Sequence, residues 1–174
     1  MFPQQTLDLS AYLVTACTKQ SILIATAESC TGGLIAGAIT SVSGASSVFE
    51  RGFNTYSNEA KNDLLGVSMD DICSHGAVSS LVARQMAEGA LQAAPVNLTV
   101  AVTGIAGPEG GTREKPVGTV HIAVALKIDN AEHQPGDELT EVIRRDHQFV
   151  FSGDRDAVRL STVNEALTMM LDIL

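Results

Sequence analysis

Ser29 closes a short apolar run, Ile22 to Ala27, and precedes Cys30-Thr31-Gly32-Gly33 and a second apolar stretch from Leu34 to Thr40. That order reads as strand, glycine turn and helix, and such a turn exposes side chains while aiming backbone N–H groups outward. A serine placed there can act as a nucleophile if a base takes its proton. The same spacing also suits Ser29 or Thr31 as a helix cap, or a turn that grips a phosphate. The segment is neither Gly-x-Ser-x-Gly nor Ser-x-x-Lys, since position 32 is glycine, and it lacks the lysine of a Walker A loop.

Four histidines, His75, His121, His133 and His147, are available as bases, but none sits in a motif that ties it to a serine. Lys61 is the better candidate. It follows Tyr56-Ser57-Asn58-Glu59-Ala60 just after an apparent strand, from which a helix-borne amine can point toward the sheet end. To accept a proton it must be neutral, so it is expected to titrate well below about 10.4, nearer 7 to 8, with burial outweighing Glu28 or Glu59. A second glycine-rich loop, Thr103 to Gly111, can approach a ligand closely. Oxyanion donors could come from Cys30 to Gly32 or from the Gly104 loop.

The elements that must position these residues follow from periodicity and caps. A helix spans residues 6 to 19, and a strand runs from Arg51 to Tyr56. Ser57 or Asn58 caps a short helix through Leu65, closed by Gly66, and Ser68 with Asp71 resembles a capping box. Ser79 caps a longer helix to Ala94. Asn97 to Thr103 and Thr119 to Leu126 read as strands around a Gly/Pro-rich loop, residues 127 to 140 as a polar excursion, and 141 to 151 as holding a last strand. A final helix covers Asp154 to Leu171. Interleaved helices and strands give an α/β fold: one three-layer α/β/α domain over residues 1–174, with a mixed sheet whose last two strands are antiparallel.

Composition removes several function classes. Eleven basic against twenty acidic side chains give a formal charge of −9, which repels a phosphate backbone and argues against nucleic acid as a partner. The longest apolar runs fall short of the roughly 20 residues that cross a bilayer, so no membrane association is expected. Three cysteines without Cys-x-x-Cys spacing fit neither a disulfide framework nor a zinc site and point to a reducing cytoplasm. The apolar last helix, with Met169, Met170 and Leu171, points to a homodimer or larger homo-oligomer.

Six ordered blocks carry a family resemblance: Ala27 to Gly33, Arg51 to Lys61, His75 to Ser79, Thr103 to Gly111, Lys115 to Thr119, and Phe151 to Arg155. They resemble the C-terminal domain of competence/damage-inducible protein CinA, whose stand-alone members are nicotinamide-nucleotide amidases. The resemblance implies hydrolysis of nicotinamide mononucleotide to nicotinic acid mononucleotide and ammonia, in pyridine-nucleotide salvage, with no metal or cofactor. It makes Ser29 the nucleophile, Lys61 its base, and Tyr56 and Thr103 polar members of the site. Substrate binding is expected from Cys30, Thr31, Gly32, Gly33, Gly104, Gly107 and Arg155, with Arg155 or Lys115 as counter-charge to the phosphate. Larger family members carry an N-terminal domain linked to pyrophosphatase activity, and that activity is not expected here. The competing reading is a non-catalytic nucleotide-binding or regulatory module in which Ser29 only caps a helix.

Overall fold

In β3 (Leu98–Gly104), Leu98, Val100 and Val102 face one side of the sheet while Thr99, Ala101 and Thr103 face the other. Strand β4 (Thr119–Ile128) repeats the pattern, with Val120, Ile122, Val124 and Leu126 opposed to Ala123 and Ala125. One face is therefore bulky and branched and the other small. The computed structural model describes residues 1–128 and 141–174. His133 and most of the expected polar excursion lie outside the described residues.

The bulky face is covered by α1 (Gln4–Gln20), α2 (Leu34–Thr40) and α6 (Arg155–Asp172). The alanine face receives α5 (Ser80–Ala93), which also packs on α3 (Asn58–Leu65) and α4 (Met69–His75). Small side chains let α5 settle close to the sheet, and Thr99 Oγ1 donates to the Ala87 carbonyl at 2.8 Å. The helix–helix seam is tighter still: a Cβ on Gly89 would stand 2.0 Å from the Leu65 carbonyl oxygen.

The strand order is β2-β1-β3-β4-β5, with β1 (Ile24–Glu28) parallel to β2 (Phe49–Asn54) and to β3. Strand β4 runs antiparallel to β3 and to β5 (Glu141–Val150), so the α/β fold, its three layers and its mixed sheet agree with expectation. From β1 the chain crosses to β2 on one side and later returns to β3 on the other. The carboxyl ends of β1 and β3 thus flank a topological switch point, where open α/β sheets form their crevice.

Local signals placed most helix starts correctly: Ser57, Ser68, Ser79 and Asp154 each accept an N–H three residues on. Between Ser57 and Asn58 it is Ser57 that caps α3, with Ala60 N–H donating to its Oγ at 3.0 Å. Strand β2 begins and ends earlier than periodicity indicated, because its register is set by pairing Ile24 with Phe49 and Glu28 with Asn54. Tyr56 consequently sits beyond the strand. A 3-10 turn at Ala45–Ser47 carried no sequence signal. On α6, Met170 is fully buried and Met169 and Leu171 pack against the same core, so much of that helix's apolar surface is covered within the chain. No helix among the described residues is long and apolar enough to cross a membrane.

Gly89→Ala should lower unfolding free energy by about 1 to 3 kcal/mol, because the added methyl meets backbone rather than a movable side chain. The denaturant midpoint measures this, and an unchanged midpoint would show that α3 and α5 can separate freely.

Candidate active site

Ser29 follows the last residue of β1 and points to the alanine face, where α3 brings up Lys61. The Lys61 Nζ is 3.2 Å from Ser29 Oγ and donates to the carbonyls of Thr55 at 2.9 Å, Tyr56 at 3.2 Å and Ser57 at 3.3 Å. Its residue is only 1% exposed and that of Ser29 8%. Burial lowers the Lys61 pKa, against smaller opposing effects of Cys30 and Glu59. A neutral amine has two N–H groups for the carbonyls and a lone pair for the serine hydroxyl. When it takes up a proton, the resulting ammonium has three N–H groups for three carbonyls.

Glu28 does not oppose this arrangement as expected, because its side chain lies on the opposite face of β1. There the fully buried carboxylate accepts from the N–H groups of Gly33 at 3.0 Å, Ile35 at 3.0 Å and Ala36 at 2.9 Å. It occupies the start of α2, so Gly33 has no N–H left for a substrate phosphate there. Gly32 N–H is also engaged, on the Ser29 carbonyl at 3.1 Å, and Ser29 N–H donates to Val102 O at 3.1 Å. Among the described residues, the N–H groups of Cys30 and Thr31 donate to no backbone carbonyl.

A cavity of about 220 Å³ opens over Ser29, lined by Cys30, Tyr56, Lys61, Thr103, Gly104 and Arg155 together with Asn58, Ala77, Val78 and Ala106. The chain therefore assembles all four residues expected to be catalytic, plus Cys30, Gly104 and Arg155. Thr31, Gly32, Gly33 and Gly107 do not line it. Thr31 is buried behind the turn, Gly32 faces outward, Gly33 contacts Asn54, and Gly107 accepts from Arg155 Nη1 at 2.8 Å. Thr103 Oγ1 donates to the Ala77 carbonyl at 2.9 Å, and Arg155 Nη2 donates to the exposed Tyr56 hydroxyl at 3.2 Å. Lys115 directs two of its three ammonium N–H groups to His75 O at 2.9 Å and Val78 O at 2.7 Å, holding the loop that lines one wall.

None of the described histidines lines the cavity. His75 and His147 are exposed, and His121 is buried with its pKa lowered by that burial and by Lys115. Burial also pushes the Cys30 thiol up to about 11, which leaves it protonated beside the serine. Among the described residues no three His, Cys, Asp or Glu side chains come together to hold a metal. Asn58, Ala77 and Val78 lie on the wall without having been singled out as site residues. For Asn58 the available signal was its place three residues before Lys61, on the same helix face.

The fold and crevice define an α/β domain with a serine–lysine pair at the switch point of a mixed sheet. The family model for the CinA C-terminal domain matches residues 6–174, and the chain belongs to that family. It is 46% identical over 167 residues to the nicotinamide-nucleotide amidohydrolase PncC of Escherichia coli, covering 96% of this chain and 93% of the relative. A putative competence-damage inducible protein of Caldicellulosiruptor bescii is 45% identical over 162 residues, which are 93% of this chain but 36% of that longer protein. The crystal structure of competence/damage inducible protein CihA from Agrobacterium tumefaciens superposes with a TM-score of 0.87 at 43% identity, covering 99% of this chain and 98% of that one.

Two stability outcomes follow from this geometry. Glu28→Gln should cost about 2 to 3 kcal/mol, since an amide replaces an acceptor oxygen with a donor facing N–H groups; calorimetric or denaturant unfolding checks it. For Lys61, the folded pKa is lowered, so between that value and the usual 10.5 the unfolded chain holds the extra proton and stability rises with pH. Relative to Lys61→Met, the wild-type protein should gain at most roughly 1.4 kcal/mol per pH unit across that window. A pH-independent difference would show that the lysine titrates alike in both states.

Proposed function

We propose that this chain is a nicotinamide-nucleotide amidase, converting nicotinamide mononucleotide and water to nicotinic acid mononucleotide and ammonia through an acyl-enzyme on Ser29. The observation that carries the reading is the buried Lys61 amine 3.2 Å from Ser29 Oγ on the wall of a cavity. The E. coli relative named as a nicotinamide-nucleotide amidohydrolase supports the substrate class.

Neutral Lys61 takes the hydroxyl proton as Ser29 Oγ attacks the carboxamide carbon. The three carbonyls around Nζ then hold the ammonium until it passes its proton to the departing amine, and ammonia leaves. Water attacks the resulting ester with Lys61 again as base, releasing the carboxylic acid and restoring the serine. Cys30 and Thr31 N–H groups are the donors best placed for the anionic oxygen, each such donor being worth roughly 3 to 4 kcal/mol in known cases. The cavity takes the pyridine carboxamide, while the ribose phosphate lies at its mouth beside the Tyr56 ring and Arg155. Thr103 keeps the Ala77 wall in place.

The reading includes pyridine-nucleotide salvage in a reducing cytoplasm, where Cys17, Cys30 and Cys73 stay free thiols, and assembly as a homodimer or larger homo-oligomer.

Incubation with nicotinamide mononucleotide should release ammonia, and Ser29→Ala should lower the rate about 10³-fold or more while the protein stays folded. Nucleotide binding without ammonia release by the wild type would favour the non-catalytic module. The rate should rise with pH through the lowered Lys61 pKa, because the neutral amine is the active form. A Lys61→Met protein keeping both its rate and that acidic limb would remove Lys61 from the reaction.

A further inference from the structure

Arg159 projects from α6 onto the outer side of the turn that carries Ser29. Its Nη2 donates to the Thr31 carbonyl at 2.9 Å and would lie 3.8 Å from a Cβ on Gly32. The only carboxylate paired with it among the described residues is Asp156, at 3.8 Å on a side chain 91% exposed, where solvent screens the attraction. Its Nε is buried with no hydrogen-bond partner among the described residues. Burying a guanidinium N–H in that way is unfavourable, so the surface attraction to Asp156 does not explain where the side chain sits. The Thr31 carbonyl does.

The turn needs such a hold. Its first peptide is fixed by Ser29 N–H on Val102 O and by Thr55 N–H on Glu28 O, and its far end by the Glu28 carboxylate on Gly33. Between them, Gly32 N–H on the Ser29 carbonyl at 3.1 Å and Leu34 N–H on the Thr31 carbonyl at 3.4 Å add two backbone bonds, but Gly32 at φ +60° and Gly33 at φ +96° are in conformations natural to glycine, whose freedom leaves the segment other paths. Arg159 fixes the Thr31 carbonyl and so the ψ of Thr31, next to the two N–H groups of Cys30 and Thr31 that donate to no backbone carbonyl. The positive charge reaches the same place, since Arg159 and Arg155 both pull the Cys30 thiol downward against its burial.

We propose that Arg159 is a positioning residue for the nucleophile turn, holding the Thr31 carbonyl so that the Cys30 and Thr31 N–H groups stay aimed at the oxygen that becomes anionic during amide hydrolysis. The inference rests on the amidase reading and adds a residue that never touches the substrate. An interaction needed only as negative charge develops acts on kcat, whereas a group that binds substrate acts on affinity.

The experiment compares wild type, Arg159→Lys and Arg159→Met with nicotinamide mononucleotide, alongside thermal melts and, for affinity, calorimetry on a Ser29→Ala background with and without Arg159→Met. The expected result is a kcat lowered about 10- to 100-fold in Arg159→Met, somewhat less than the loss of a direct oxyanion donor. Arg159→Lys, or added guanidinium ion with Arg159→Met, should recover part of it, and nucleotide affinity on the Ser29→Ala background should change less than threefold. Unchanged kcat, or a matching loss of affinity, overturns the inference while leaving the amidase reading intact. A kcat loss that neither lysine nor guanidinium recovers, with a melting temperature that falls in step, also overturns it by making Arg159 a general stabiliser. A wild-type protein that releases no ammonia overturns the amidase reading and this inference together.

Discussion

A lysine amine can be buried only where its protons find acceptors, and around Lys61 that requirement organises one whole end of the molecule. Three consecutive carbonyls, of Thr55, Tyr56 and Ser57, must converge on Nζ, which obliges the chain leaving β2 to curl into the start of α3 instead of extending the strand. Ser57 serves twice, its carbonyl facing the amine and its hydroxyl capping α3. The amine's fourth neighbour is the Ser29 hydroxyl. The desolvation that lowers the Lys61 pKa is the physical link between packing and the proton transfer the site is suited to.

Alternation along β1 does the rest of the positioning. Glu28 and Ser29 are sequence neighbours, so on an extended chain their side chains leave opposite faces of the sheet. The carboxylate goes to the helix start on the bulky face, and the hydroxyl goes to the lysine on the alanine face. Separation by the sheet keeps a buried negative charge from raising the lysine pKa. It also gives both faces of one strand end a stake in the same turn: Glu28 anchors it from below and Arg159 from the outside.

The chain's charge of −9 is not evenly felt. Lys115, Arg155 and Arg159 all converge on this end, and each donates to at least one backbone carbonyl. Cations used this way tie loops and turns together and at the same time leave a positive field around the crevice, which suits a substrate carrying a phosphate and a reaction passing through an oxyanion.

The residues themselves determined the α/β class, the helix starts at Ser68, Ser79 and Asp154, a start at Ser57 or Asn58 for α3, and the prominence of Ser29 and Lys61, because periodicity, caps and glycine turns act over a few positions. They also led to the right strands, with both boundaries off by two residues at β2, where pairing with β1 overrides local preference. Nothing local could reveal that Lys115 is bound to the His75 and Val78 carbonyls, or that Gly32 and Gly33 lie away from the cavity lining. Arg159 meets Thr31 across 128 residues of sequence and Lys61 meets Ser29 across 32. Contacts of that reach are decided by strand register and by which helix packs on which face, and only the tertiary structure settles those, because each depends on the burial of side chains from the whole chain at once.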